Sequence, residues 1–403
     1  MSESCDQNSS SEASSHVADR LPNRNHVIRG QAHSYTIGKK IAHGRYGAVY
    51  EASRRGGHLP SICARRLQVL RRGDGRHLAA KLEVCDSHFH GLNMDYIVLR
   101  NANRSGLKYM CQLIDRGKIE GHFKFMVMQL LDENLDNLRH EFQGNRFSAP
   151  TAIKLGIEML SALEELHSLG FVHRDVKPAN FMVKNEKGQC RLYLVDFGLC
   201  KAYRSTSGEV KKPRERAQFR GTVRYASLAA HNEREQAPKD DVESWLYVLT
   251  ELFTGELPWS RCHRSEKPAV RQLKEHARTS EGTHQLFKYC PRTEFRRIMA
   301  YLDGLTFSST VDYSFLHSLL KLAIKNYEIN LDVPYDWLCE SGSQGNTPNT
   351  PETRSLNGDQ ADDRPGPSNS TASGQTRDPV YSKLEKAVQQ LNGVKLDSAE
   401  EKK

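Results

Sequence analysis

Two short stretches constrain this chain more than any other feature: FVHRDVKPANFMV, from Phe171 to Val183, and LYLVDFGLC, from Leu192 to Cys200. Leu166, Val172, Phe181, Met182, Val183, Leu192, Tyr193, Leu194 and Val195 predict short buried segments, so the polar residues between them sit on loops fixed by packing. Those loops carry Asp175, Lys177, Asn180 and Asp196. In that order, one acid can accept a hydroxyl proton, a lysine can offset phosphoryl charge, and an amide and a second acid can hold a metal. A lone loop Asp is usually a turn or cap residue. Two whole motifs at this separation point instead to the handling of a metal-bound phosphate.

Read as H-R-D-x-K-x-x-N followed by D-F-G, the motifs resemble those of eukaryotic protein kinases. Finer features resemble the casein kinase I superfamily, most closely its tau-tubulin kinase branch, over roughly Tyr35 to Glu340. The resemblance implies an α+β, bilobal fold occupying 34–340, with a small β-rich lobe over about 34–128 and a larger helical lobe over about 132–340. It implies ATP and Mg2+ as cofactors, Asp175, Lys177, Asn180 and Asp196 as catalytic residues, and Asn180 and Asp196 as metal ligands. The Lys177 form of the loop resembles serine/threonine rather than tyrosine kinases, and Thr222 matches the threonine that steadies Asp175 and Lys177.

YTIGKKIAHGRYGAVY, from Tyr35 to Tyr50, predicts a strand, a glycine-containing turn and a second strand. Small residues in such a turn let backbone N–H groups approach phosphates. Against the family pattern G-x-G-x-x-G-x-V, Ala42, Gly44, Gly47 and Val49 fill the defining positions, so the first glycine is missing. If position 42 requires a positive φ, alanine costs about 1–2 kcal/mol there. The nucleotide-contacting stretch is expected to be Ile41, Ala42, His43, Gly44, Arg45, Tyr46, Gly47, Ala48 and Val49, with Ala79 nearby. Lys81 matches the strand lysine that orients ATP. Its helix partner is usually Glu, and here the aligned residue is Asp95, one methylene shorter. Met128 matches the gatekeeper, followed by a hinge at Gln129, Leu130 and Leu131. Ala42 and Asp95 together motivate a rival reading, a kinase-fold scaffold with weak or no turnover.

From Ala149 to Leu169, Ile153, Leu155, Ile157, Leu160, Leu163 and Leu166 recur at helical spacing, with Gly170 as a stop. RYASLAAH, from Arg224 to His231, stands where most kinases have A-P-E and resembles the RYASINAH form of the casein kinase I superfamily. Asp241 matches that superfamily's next-helix acid. Trp245, Leu246, Val248, Leu249, Leu252 and Phe253 make this helix apolar on nearly every side, so it is expected to be a buried axis. DYSFLHSLLKLAI and YDWLCE, within 312–340, resemble the close of tau-tubulin kinase catalytic domains.

Outside this region, composition changes. MSESCDQNSSSEASSHVADR and the stretch from Ser341 to about Asp378 are polar and poor in large apolar residues, so 1–33 and 341–403 are expected to be disordered tails. Tyr381, Leu384, Val388 and Leu391 follow Pro379 at helical spacing, compatible with a docking helix over 380–392, although isolated helices of this length are barely stable in water. No early segment has a secretory layout, and no run approaches the roughly 20 apolar residues that span a bilayer. The 9 cysteines lack C-x-x-C pairs, which fits reduced thiols in the cytoplasm or nucleus. Cys85, His88 and His90 lack a second ligand cluster for zinc, and Cys200 reads as a packing residue.

The net charge of +9 favours acidic partners. Lys201, Arg204, Lys211, Lys212, Arg214, Arg216, Arg220 and Arg224 face only Glu209 and Glu215 within the segment after Asp196. Basic charge alone would also suit nucleic acid, but its place beside the motifs favours a substrate role over specific nucleic-acid binding. Casein kinase I relatives recognise acidic or phosphorylated substrates, which implies Arg224, and near the Pro-Trp turn Arg261 and Lys267, as anion-recognising groups. The expected partners are protein substrates with such sites, cytoskeletal ones among them, acted on by a monomer without membrane attachment.

Overall fold

Strand alternation builds the smaller of two lobes. In the computed structural model, which describes residues 20–44, 47–54, 78–85, 90–186, 189–263 and 265–339, six antiparallel strands form one sheet. They are β1 (Val27–Arg29), β2 (Ser34–Gly44), β3 (Gly47–Arg54), β4 (Leu78–Val84), β5 (Leu113–Ile119) and β6 (Phe123–Gln129), in the order β1-β2-β3-β4-β6-β5. Alternate residues such as Ile28, Tyr35, Ile37, Tyr50, Leu82 and Phe125 close one apolar core. On β4 the other parity, Lys81 and Glu83, turns toward helix α1 (Gly91–Arg104): Glu83 accepts the Leu92 N–H at 2.8 Å.

Residues 20–33, expected to belong to a disordered tail, are part of the fold. Residues 1–19 lie outside the described residues, but β1 pairs with β2 and Leu21 is buried. The cause is Asp115 on β5, whose carboxylate accepts the backbone N–H groups of Gln31, Ala32 and His33 at 3.0–3.1 Å and the Tyr35 hydroxyl at 2.9 Å. Burial opposes the Asp115 charge, yet these donors and the Arg116 N–H hold its pKa below the usual carboxylate range. Polar residues that cannot build a core are thus ordered by a carboxylate more than 80 positions away.

The larger lobe contains β7 (Glu133–Asn134), α2 (Leu135–His140), α3 (Ala149–Ser168), β8 (Phe171–Val172), β9 (Phe181–Glu186), β10 (Gln189–Leu194) and β11 (Lys201–Ala202). It continues with α4 (Leu228–His231), α5 (Pro238–Thr254), α6 (Lys267–His276), α7 (Ser280–Leu286), α8 (Arg292–Asp303) and α9 (Tyr313–Asn326). The axis is α5, with every residue from Asp240 to Phe253 buried. It packs closely on α3: a Cβ on Gly156 would lie 2.7 Å from the Leu249 Cδ1, and the Trp245 indole donates to the Gly156 carbonyl at 2.9 Å. Asp336 staples the start of α3, accepting from Ser148 N at 2.7 Å and Thr151 Oγ1 at 2.8 Å. The chain divides into two units, Met1–Cys339 and Glu340–Lys403. The second, including the expected helix over 380–392, lies outside the described residues.

Among the described residues no helix is long and apolar enough to cross a membrane, and no group of three His, Cys, Asp or Glu side chains is arranged to hold a metal. His88 lies outside the described residues. Cys200 is buried, and burial pushes its thiol pKa up, in keeping with packing.

One buried carboxylate makes stability depend on pH. Asp240, 1% exposed at the start of α5, accepts the Ala237 N–H at 2.8 Å. Burial raises its pKa to about 6 in spite of Lys239. The folded state therefore holds this proton more tightly than the unfolded chain, so the contribution to stability is full below about pH 4 and lost as pH rises through 6. Asp240→Asn keeps an acceptor and removes the charge. Its unfolding free energy relative to wild type should rise by on the order of 1–3 kcal/mol between pH 5 and 8. A stability difference that stays flat across this range, measured by denaturant titration, would contradict the assignment.

Candidate active site

Helix α5 fixes the loop that follows β8. Asp241, 1% exposed, accepts the His173 N–H at 2.6 Å, the Arg174 N–H at 2.8 Å and His167 Nε2 at 2.8 Å. Burial works against the Asp241 charge, but the hydrogen bond and charge of His167 and the His173 contacts hold its pKa down. His167 also contacts the Tyr313 hydroxyl. Suspended this way, Arg174 takes a positive φ of 66°, a conformation that costs a non-glycine residue about 1–2 kcal/mol. Its side chain donates to the Leu199 carbonyl at 2.7 Å.

Asp175 follows with its oxygens oriented by three groups. Oδ1 accepts from Thr222 Oγ1 at 2.7 Å, Oδ2 from Lys177 Nζ at 2.7 Å, and Asn180 Nδ2 donates to the Asp175 carbonyl at 2.8 Å. The Asn180 amide nitrogen is therefore engaged, and its side-chain oxygen keeps its capacity for a cation. Pairing of Phe181 with Leu194 across β9 and β10 brings Asn180 beside Val195, whose N–H donates to the Asn180 carbonyl at 3.0 Å. Asp196 is the next residue. Sequence positions 16 apart thus meet because a hairpin separates them.

Asp196 also has a positive φ, 64°, and its side chain remains half exposed. Lys81 Nζ lies 2.8 Å from Asp196 Oδ1 and 2.7 Å from Asp95 Oδ2. The Lys81 charge holds Asp196 down to about 2. Burial pulls the Lys81 pKa downward, and the charges of Asp196 and Asp95 outweigh it. Asp95 is 1% exposed, and its other oxygen accepts the Phe197 N–H at 2.7 Å. The shorter acid reaches both partners, so the expected weakness at this position is absent from the geometry.

Ala42 resolves similarly. It lies in β2 opposite Val49, and it is not among the positive-φ residues. The premise for an alanine penalty does not hold. Gly44 pairs with Gly47 at the strand ends, while Arg45 and Tyr46 lie outside the described residues. Ile41 and His43 are exposed beside Ala42, and Ala48 points into the sheet core. At the cleft's inner end, Ala79 faces Met128 across β4 and β6, and Cys111 Sγ lies 3.8 Å from the Met128 sulfur. Gln129 and Leu130 are half-buried and Leu131 is buried.

The expected anion-recognising residues are placed differently. Arg224 is committed to Glu251, 3.2 Å away, and to the Ser260 carbonyl. Glu251 is completely buried on α5 and needs countercharge; Arg139 at 3.8 Å and the Tyr225 hydroxyl at 2.6 Å complete its shell. Lys267 Nζ lies 4.5 Å over the Phe219 ring, and Arg261 is exposed without a partner among the described residues. The basic segment is also less free than its sequence. Lys201 and Arg214 pair with Glu235, and Arg216 with Glu233 at 2.6 Å. Glu233, Glu235 and Glu251 were missed because they follow the segment in sequence and reach it only through the fold.

Gly47 is required for close approach: a Cβ there would lie 1.9 Å from the Leu82 carbonyl on β4. Gly47→Ala should cost about 1–3 kcal/mol through strand displacement. Unchanged thermal unfolding and nucleotide affinity in this variant would show that the strands are not held at that spacing.

The comparisons with known proteins agree with this arrangement. Residues 35–325 match the protein kinase domain family. A probable serine/threonine-protein kinase of Dictyostelium discoideum is 31% identical over 79% of this chain and 58% of its own length. The serine/threonine-protein kinase spe-6 of Caenorhabditis elegans is 30% identical over 61% of this chain and 64% of its own. The chain therefore spans about three-fifths of the length of these relatives. With the family match covering most of the sequence, and with the acid, lysine and amide constellation assembled around one cleft, the chain belongs to the protein kinase domain family.

Proposed function

We propose that the protein is a serine/threonine protein kinase that transfers the γ-phosphate of ATP to hydroxyl groups of protein substrates. The observation that carries this reading is the orientation of Asp175 by Thr222, Lys177 and Asn180 beside the Lys81–Asp95–Asp196 ion pairs. Asp175 positions the substrate hydroxyl and accepts its proton, and Lys177 stabilises charge on the transferring group. Lys81 orients the nucleotide phosphates. Asp196 and Asn180 suit Mg2+, which binds through one or two protein oxygens and substrate phosphates rather than an all-protein cage. When bound, the ion neutralises phosphate charge. Ala42 in a plain strand and Asp95 within reach of Lys81 support turnover over a scaffold role.

The finer placement, in the casein kinase I superfamily near the tau-tubulin kinase branch, is supported by RYASLAAH, in which Ser227 caps α4, and by Asp241 on the next helix, which anchors the catalytic loop. A preference for acidic or phosphorylated substrates is supported by Lys211, Lys212, Arg220, Arg261 and Lys267, which are exposed and form no ion pair among the described residues. Action inside the cell, in cytoplasm or nucleus, is supported by the seven described cysteines, all free thiols.

Phosphate transfer from labelled ATP with magnesium to an acidic Ser/Thr protein should be lost by at least a hundredfold in Asp175→Asn with its fold intact. Equal, near-background signals from wild type and variant would overturn the reading. Substrate preference separates two sets of cations. Arg224→Ala removes the nearest countercharge of the buried Glu251, which keeps Arg139 and the Tyr225 hydroxyl, and should destabilise the fold by about 1–3 kcal/mol, lowering activity on all peptides alike. Arg261→Ala combined with Lys267→Ala should raise KM several-fold for acidic or phosphorylated peptides alone. Equal losses on neutral peptides would remove these two residues from substrate recognition.

A further inference from the structure

On the large lobe, the turn between α7 and α8, the loop before α3 and the end of α9 gather positive charge around two exposed tyrosines. Tyr289 is 55% exposed and Tyr327 46%. Arg146 and Lys288 lie over the Tyr289 ring, the guanidinium carbon 6.0 Å and the ammonium 5.1 Å from its centroid, which holds both cations beside it. Arg292 opens α8, and Arg296 stands one turn further along the same side of that helix. Arg146, Lys288 and Arg296 are exposed and Arg292 is half-buried. None of the four forms an ion pair among the described residues.

Arg292 carries the strongest demand for an anion. Its Nη1 lies 3.1 Å from His284 Nδ1, and a guanidinium only donates, so the imidazole accepts there and brings no negative charge. Its Nε is buried without a hydrogen-bond partner. The Arg292 backbone N–H donates to the Tyr327 hydroxyl at 3.3 Å, which leaves the phenolic proton with no acceptor among the described residues. Glu294 on the same helix does not neutralise the group. It is 1% exposed, and its Oε1 accepts from Asn326 Nδ2 at 2.7 Å. A guanidinium partly removed from water, with a donor unfilled and no countercharge, is stabilised by any anion that reaches it.

The flanks select the kind of anion. Glu281 lies one turn before His284 on α7, and Glu328 follows Tyr327; both are exposed. A continuous array of phosphates, as in a duplex or an anionic bilayer, meets these acids as well as the cations, whereas a short segment with spaced carboxylates fits between them. Apolar side chains of such a segment cover the two tyrosine rings, a residue type enriched at protein interfaces. We infer that this surface docks a segment of a separate protein in which acidic residues are interspersed with apolar ones. The elements that form it supply none of the groups around Asp175 and Lys81, so an occupant leaves the cleft open. On the reading proposed above, a substrate docked here presents its hydroxyls at raised local concentration. The binding itself requires no phosphate transfer, so the two are tested separately.

The test uses the full chain without nucleotide and a fluorescein-labelled peptide of repeated Glu-Leu-Gly units, which has no hydroxyl to phosphorylate, with Gln-Leu-Gly as the control. Fluorescence anisotropy should show saturable binding of the acidic peptide only, weakening as salt rises. A carbodiimide, which joins a carboxylate to a neighbouring amine, should link the bound peptide to Lys288. Lys288→Glu combined with Arg296→Glu breaks no ion pair among the described residues and should weaken binding about tenfold or more at unchanged thermal unfolding. Tyr289→Ser should weaken it several-fold, and Arg261→Ala combined with Lys267→Ala should leave it unchanged. Equal binding by wild type and the double glutamate variant, equal binding of the glutamine control, cross-links only at Lys211, Lys212 or Lys267, or no binding by wild type would each overturn the inference. Tighter binding of duplex DNA or phosphatidylserine vesicles, abolished by the same double variant, would assign the surface to that ligand and refute a protein occupant. Peptide binding that persists in a chain showing no phosphate transfer would sustain this inference and overturn the proposed activity alone.

Discussion

Buried carboxylates on α5 set the geometry of the whole large lobe. A carboxylate removed from water costs several kcal/mol unless paired and hydrogen-bonded, so each one dictates what lies beside it. Asp241 takes the backbone of His173 and Arg174 and thereby hangs the catalytic loop. Glu243 takes the Leu228 N–H at 3.0 Å, the Tyr247 hydroxyl and Arg278 at 2.8 Å, which places α4. Glu251 takes Arg224 and Tyr225. One helix, buried on every side, therefore positions the catalytic loop and the segment after Gly221. The strained dihedral at Arg174 persists because Asp241 and the Leu199 carbonyl hold both ends of that residue.

The second centre of organisation spans the lobes. Lys81 comes from the small-lobe sheet, Asp95 from α1, and Asp196 and Phe197 from the loop after β10. Phe197 is 1% exposed and packs edge-on against His173 at 5.7 Å. A polar chain from β4 to Phe197 and an aromatic contact to His173 thus connect the nucleotide side to the hydroxyl side. Neither depends on the glycine missing at position 42.

Much of this was legible because the motifs are local. Asp175, Lys177 and Asn180 fall within six residues, and hydrophobic alternation around them marks the strands that bring Asp196 alongside. The axis helix was readable for the same reason, its large apolar residues falling on nearly every side. What stayed hidden depends on distant partners. Arg224 looked like a free cation because Glu251 is 27 positions away, on a helix whose apolar composition masks an inward acid. The segment 20–33 looked like a tail because its order comes from Asp115, which reads as one more strand residue. The missing glycine looked costly because a pattern records residue types, whereas the requirement is for backbone dihedrals, and Ala42 meets it in an extended strand.

Asp95 changes the mechanics of the small lobe. Removing one methylene shortens the side chain by about 1.5 Å and removes one rotatable bond. A glutamate on a drifting helix can straighten and keep hold of its lysine. Asp95 engages both oxygens from a shorter stem, one on Lys81 and one on the Phe197 N–H, so it has little slack to take up. Small displacements of α1 are then not absorbed in side-chain torsions, and both contacts release together. The ion pair behaves as a latch rather than a spring.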